Sequence, residues 1–431
     1  MGNGNNPRDK VVSLASARQA KGSGADFATL PLAEQLDHLR RQPAGRQLKL
    51  ITRAPRPKEL ARNIPEQELY WLVKEVGEAD AGELLELASP EQRTFILDME
   101  LWERGVFSAA NAYRWLGHLL DAGESVVTEQ LPELDPELLV LALKQEISVG
   151  GGIGELASDD ERTADWDHSF DNIYFITFKN PRHARTIGAF LDIAYRTNHG
   201  LYLELMEGIK GEIGSELEEL ALQFRTGRLA DLGFPDLEAA RSIYGRLDPA
   251  SFTLSGEKKL VGGGSTGPIL QLPSLPGPAD SLLNRAMSHA GDEGVSQELA
   301  YLAGCALVAD DAALHERAAG EEIFRRVHGY LNIALEYLAG NDIARAATIL
   351  VDEPLKRLFQ LGFSIVLGLR TAATGLASDD YATGKGLRGL RETPPRYYRA
   401  FDPDGIDDFR EFNSMDDVRQ VGKFLRTVAG T

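Results

Sequence analysis

Cysteine is nearly absent from this chain: one residue, Cys305, in 431. A lone thiol leaves no intramolecular disulfide and no cysteine-rich zinc or iron–sulfur site, a usage that fits a reducing cytoplasm. Positive charge is also short, with 46 Lys and Arg against 65 Asp and Glu and a formal net charge of −19. That balance argues against a non-specific nucleic-acid surface or an anionic membrane surface, because both need dense basic patches. Long hydrophobic runs are missing as well. The longest, Leu358 to Leu369, covers 12 residues and contains Gln360 and Ser364, well short of the roughly 20 needed to cross a bilayer. Four basic residues precede Asp26 (Arg8, Lys10, Arg18 and Lys21) with no apolar stretch behind them, so the start reads as neither signal peptide nor membrane anchor.

Metal and nucleotide signatures are equally scarce. The eight histidines, from His38 to His328, include no pair at the i, i+4 spacing of a helical metal site. Gly150-Gly151-Gly152-Ile153-Gly154 follows a predicted helix and lacks the Lys-Ser/Thr of a phosphate loop, and Gly262 to Gly267 fails in the same way. The acidic run from Asp159 to His168 has neither the alternation nor the central glycine of a calcium loop, and around Asp402, Asp404, Asp407 and Asp408 the glycine stands in the wrong place for one. Cys305 sits between Gly304 and Ala306 in an apolar helix, the setting of a buried small hydrophobe. No catalytic residue, cofactor or metal ligand is assigned.

What the chain does carry is helix punctuation. Pro-Glu recurs at Pro65-Glu66, Pro90-Glu91 and Pro136-Glu137, at intervals of 25 and 46 residues, the second nearly double the first. Proline at the start of a helix gives up an N–H that has no intrahelical partner anyway, and Ser89 and Asp135 precede two of the three as capping side chains. Leu69, Leu72, Val73 and Val76 form an apolar stripe ended by Gly77. Asp80 with Glu83, Ser89 with Gln92, and Ser215 with Glu218 have capping-box spacing, and Ser108 opens a further helix. None of these helices buries its stripe alone, so they are expected to stack as a short solenoid. Trp71, Trp102 and Trp115 recur among them as core anchors.

The expected fold is mostly α, helical repeats and hairpins, with one small β element in the middle. The organisation reads as a flexible tail (1–28), an N-terminal helical-repeat region (29–149), an acidic linker (150–168), a middle region (169–254), a Gly/Pro-rich linker (255–279), a C-terminal helical-hairpin region (280–390) and a polar tail closed by a short helix (391–431). Ile173 to Phe178 is rich in β-branched and aromatic residues and stopped by Asn180-Pro181, the mark of a strand. Phe252 to Leu254 and Ile269 to Leu272 are its candidate partners. In the C-terminal region Ile323, Val327, Tyr330, Ala334 and Leu338 share a stripe, Gly340-Asn341-Asp342 makes a turn, and a return helix follows.

Three strings carry a resemblance: Leu69-Tyr70-Trp71-Leu72-Val73-Lys74-Glu75-Val76-Gly77, Gly227-Arg228-Leu229-Ala230-Asp231-Leu232-Gly233-Phe234-Pro235-Asp236, and Gly329-Tyr330-Leu331-Asn332 leading to Glu336-Tyr337-Leu338. Through them the chain resembles a bacterial domain family of unknown function, which implies no activity, substrate or cofactor. The first third also resembles the superhelical N domain of MgtE-type magnesium transporters, a cytoplasmic sensor, through its Pro-Glu helix pairs and leucine pattern. No individual magnesium ligand transfers from that resemblance.

Two polar clusters stand out as interaction candidates. Arg225-Thr226-Gly227-Arg228 with Asp231 reads as a loop between helices that holds an anion or a partner carboxylate, with an internal Arg–Asp brace as the alternative. Arg396, Tyr397, Tyr398 and Arg399, with Arg391 beside them, form a basic aromatic patch that docks an acidic partner or a nucleic-acid strand through stacking, with packing of its tyrosines on the helical core as the favoured alternative. The sequence thus favours a non-catalytic cytoplasmic scaffold or adaptor that binds a protein partner along a helical-repeat surface, with no nucleic acid and no membrane insertion, and leaves self-association open. The rival reading is a ligand or metal sensor, or an enzyme whose site is assembled from dispersed charged residues.

Overall fold

The computed structural model describes residues 27–430 apart from 104, 153–165, 257, 259–276, 279, 292 and 311–316. The chain divides into two compact units, residues 1–225 and 226–431, and is mostly α-helical, with three small two-stranded antiparallel sheets among the described residues. The tail before residue 27, most of the acidic run, Gly262 to Gly267 and Ile269 to Leu272 lie outside the described residues.

Among the described residues unit 1 opens with α1 (Leu32–Arg40), α2 (Ala44–Thr52), α3 (Pro57–Arg62), α4 (Glu66–Val76), α5 (Gly82–Leu87), α6 (Pro90–Glu100), α7 (Ala109–Ala122), α8 (Glu124–Gln130) and α9 (Pro136–Glu146). From α2 to α9 each packs on the helix two further along, the nearest-neighbour logic of a solenoid. The punctuation acts as its residue types dictate in part. Pro90 and Pro136 open their helices at the first turn, whereas Pro65 stands one place earlier as the N-cap. Ser89 and Gln92 make a complete capping box, and Ser108 accepts from the Asn111 amide. The other two expected boxes do not form. Asp80 lies in a 3-10 turn and Ala81 takes the cap position of α5, while Glu218 reaches away to the backbone amide of Phe107 at 2.9 Å. Asp135 occupies the N-cap of α9 without a capping hydrogen bond.

The core of the repeats is tied together by buried polar side chains as well as leucines. Arg93 is fully buried and donates to Gln130 Oε1 (2.9 Å), Glu129 Oε2 (2.8 Å) and the carbonyls of Leu85 and Ala88. Glu100, also buried, accepts from Tyr70 Oη (2.8 Å), Lys74 Nζ (2.9 Å) and Trp115 Nε1 (3.2 Å). Trp102 and Trp115 are buried, and Trp71 is half-buried.

A short hairpin, β1 (Trp102–Glu103) with β2 (Val106–Phe107), leads from α6 into α7. The middle-region strand, β4 (Tyr174–Phe178), pairs with β3 (Ile147–Gly151), Ile147 opposite Phe178 and Gly151 opposite Tyr174. Of the expected partners, Phe252 to Leu254 is irregular, and Ile269 to Leu272 lies outside the described residues. The pairing explains glycines that read as the start of a linker: a methyl at Gly150 would overlap the Trp166 ring, and one at Gly151 the carbonyl of Ile173. Helices α10 (Ala184–Thr197) and α11 (His199–Gly211) follow, the second unforeseen from sequence, and α11 packs on α9 and β3. Helix α12 (Gly214–Asp231) runs across the division between the units.

Unit 2 continues with α13 (Leu237–Arg241), α14 (Leu282–Ala290), α15 (Glu293–Asp310), α16 (Arg317–Ala339), α17 (Ile343–Asp352), α18 (Leu355–Ala373), α19 (Tyr381–Arg391) and α20 (Met415–Ala429). The hairpin of α16 and α17 turns at Gly340, with Asp342 capping α17 through the Arg345 amide. Helix α16 packs against α18 and α14 against α17 around Tyr330, Leu331, Leu358 and Phe359, all fully buried. A two-stranded ribbon, β5 (Tyr397–Tyr398) with β6 (Phe409–Arg410), precedes α20, which Ser414 caps. Among the described residues no helix is long and apolar enough to cross a membrane.

Candidate functional site

The solenoid of unit 1 encloses an apolar cavity of about 70 Å³ between α7, α8, α9 and α10. It exists because these helices present leucines from several directions: Leu97 and Leu101 from the α6 end, Leu116 and Leu119 from α7, Leu134, Leu138 and Leu139 from α9 and its approach, and Ile187 and Phe190 from α10. Ala109, Ala112 and Ala142 also line it, and their short side chains leave the space that larger ones would fill. Several lining residues, among them Ala112, Tyr113, Leu116, Leu134 and Ala142, are only half-buried, so the cavity reaches the surface. Its volume is roughly half that of a ~150 Å³ apolar cavity able to hold benzene. A branched aliphatic group fits that size better than an aromatic ring.

Glu146 is the one charged residue among the described residues that line the cavity. One of its oxygens is 2.7 Å from His183 Nδ1, and the His183 ring stacks on Tyr113, with centroids 3.6 Å apart and planes at 16°. The hydrogen positions follow from the neighbours. Asn180 Oδ1 accepts from the Arg182 amide at 3.1 Å, so Asn180 Nδ2 is the donor to His183 Nε2 at 3.1 Å. The imidazole therefore accepts at Nε2 and donates from Nδ1 to Glu146. With the Nε2 lone pair already engaged, this carboxylate–imidazole pair is arranged as a brace, holding the first turn of α10 against α7, and not as a general base facing a substrate. Tyr113 Oη, 3.3 Å from Thr186 Oγ1, closes the same joint.

Glu146 stands on the wall, and Glu133, Asp135 and Glu137 are sequence neighbours of the lining residues Leu134 and Leu138. Lys144 is turned aside, its ammonium donating to the Ile209 carbonyl at 2.5 Å. The site thus offers an aliphatic-sized recess with one carboxylate on its wall.

The residues singled out by sequence lie elsewhere. Arg225, Thr226, Gly227, Arg228 and Asp231 are not a loop: α12 passes through all of them. Arg225, in unit 1, donates to the Asp98 carbonyl at 2.6 Å and lies 5.8 Å from the Trp102 ring centroid; Arg228 and Asp231 fall in unit 2. Tyr397 and Tyr398 are buried, while Arg396 pairs with Glu322 and Arg399 with Asp404 at 3.2 Å. Arg391 donates to the Ala373 and Leu376 carbonyls. Among the described residues no group of three or more His, Cys, Asp or Glu is placed to hold a metal ion, and burial pushes the Cys305 thiol up to about 11. Tyr113, Glu146 and His183 escaped the sequence reading because they are far apart along the chain and match no motif spacing. The one available sign was the strand-ending Asn180-Pro181, three residues before His183.

The sequence profile described as a family of unknown function (DUF6178) matches residues 24–431. No curated protein and no solved structure matches the chain.

Proposed function

The chain therefore belongs to that family of unknown function, and from this premise we propose that it is a non-catalytic adaptor whose helical-repeat unit receives an aliphatic side chain of a protein partner in the leucine-lined cavity. The observation that carries the reading is the cavity itself: apolar, open to the surface, and with the Glu146 carboxylate on its wall. Amphipathic helices bind grooves of this kind through aliphatic anchors repeated at helical spacing. Glu146 on the wall and the net charge of −19 favour a partner segment with basic residues flanking the anchor. The brace formed by His183, Glu146 and Asn180 supports a binding role, since it fixes the wall of the recess and engages both ring nitrogens of His183.

The experiment is a selection of displayed helical peptides against the full chain, with counter-selection on the A142L variant, whose added isobutyl group occupies the cavity. The reading predicts enrichment of peptides carrying Leu, Ile or Met flanked by Lys or Arg. It is abandoned if the selected peptides bind A142L equally well, or if short aliphatic molecules alone raise the melting temperature while no peptide is enriched.

A further inference from the structure

Unit 2 contains a second polar feature, buried beneath the segment that joins α19 to α20. Glu322, Arg326 and Tyr330 follow one another at i, i+4 and i+8 along α16, so an acid, a base and a phenol share one face of the helix. Arg396 pairs with Glu322 from outside the helix, Asp310 at the end of α15 pairs with Arg326, and Tyr244 Oη donates to Asp310 at 2.9 Å. Arg326 Nη2 donates to Glu411 Oε1 at 3.0 Å.

That last contact is one-pronged. In a two-pronged arginine–carboxylate pair a second N–H meets the second oxygen. Here, among the described residues, Arg326 Nε and Glu411 Oε2 are both buried without a hydrogen-bond partner, as is Tyr330 Oη one turn along the same helix face. Arg326 is 8% exposed, Glu411 2% and Tyr330 0%. Buried polar atoms in folded proteins are almost always satisfied by protein or by ordered water, and a buried water serves groups of this kind with two to four hydrogen bonds.

We infer that Arg326 Nε, Glu411 Oε2 and Tyr330 Oη form a binding site for an internal water molecule, which links α16 to the C-terminal segment. The set asks for a molecule that accepts from a guanidinium N–H and donates to a carboxylate at once. It also asks for a neutral one. Arg326 and Arg396 face Glu411, Asp310 and Glu322, so the cluster already carries one negative charge in excess, and an added anion meets three carboxylates while an added cation meets two guanidinium groups. Water satisfies both demands at the smallest size.

The test is Tyr330→Phe in the full chain, read by equilibrium denaturation beside a crystal structure of the unaltered protein. A bridged hydroxyl predicts a fall of about fivefold or more in the folded-to-unfolded ratio, together with a solvent peak within hydrogen-bond distance of Tyr330 Oη and of Arg326 Nε or Glu411 Oε2. A phenol without a partner gains from removal of its hydroxyl, so an unchanged or raised ratio overturns the inference. A dry site, or an Arg326–Glu411 pair closed into two prongs, overturns it equally.

Discussion

Arg93 and His328 are both fully shielded from solvent, yet they answer burial in opposite ways. Arg93 keeps its charge by spending its donors on Gln130, Glu129 and two helix-end carbonyls, and its contact holds the Glu129 carboxyl down at about 2. His328 has no charged partner among the described residues, and burial lowers its pKa to about 4. Ser281 Oγ accepts from the Asn284 amide as the cap of α14 and lies 3.1 Å from His328 Nε2. A histidine whose folded pKa lies below its unfolded value stabilises the fold fully above that unfolded value, near 6.5, and loses the contribution as pH falls toward 4. The span corresponds to roughly 3 kcal/mol. Glu411 acts in the opposite sense, because burial raises its pKa and its contribution fades as pH rises. The measurement is therefore the difference between the unaltered chain and His328→Gln, by urea denaturation from pH 7 to pH 4. The account expects the advantage of the unaltered chain to shrink across that window; a constant difference contradicts it.

At the scale of elements, the sequence disclosed helices through their stripes and caps and hid the contacts that decide where they go. Ser89, Ser108, Asp236, Asp342 and Ser414 all cap as their positions suggest, because capping is settled within four residues. The partner of β4 depends on Gly150 and Gly151 permitting close approach to Trp166 and Ile173, a requirement that local pattern does not express. Arg225 to Asp231 read as a loop because Gly227 sits among polar residues, yet one glycine costs a helix only about 1 kcal/mol and the flanking helix outweighs it. The cavity was invisible for the same reason as the β3–β4 pairing: its walls come from helices distant in sequence. Close approach also sets the α16–α18 crossing, where a methyl at Gly362 would overlap the carbonyl of Tyr330. Gly362→Ala is expected to destabilise unit 2 by about 3 kcal/mol despite alanine's better helix propensity. Chemical denaturation checks this, and a neutral or stabilising outcome contradicts a backbone-to-backbone contact there.

For the whole molecule, the two units and an acidic surface frame a protein whose distinctive recess lies in the repeat unit, where helices that pack two apart leave alanines facing leucines. The adaptor account rests on that recess being a place for another protein's aliphatic side chain and not a packing fault. Filling a fault and filling a site differ in their consequences. Ala142→Leu should raise the melting temperature in either case, since cavity filling commonly adds about 0.5–2 kcal/mol, but only a site loses binding when it is filled. The most direct measurement is calorimetric titration of a selected basic amphipathic peptide into the unaltered chain and into A142L, at low and high salt. The account predicts at least about tenfold weaker binding to A142L, a more stable variant, and affinity for the unaltered chain that falls with salt as the protein's negative charge is screened. Equal affinity for both proteins, or binding indifferent to salt, contradicts it.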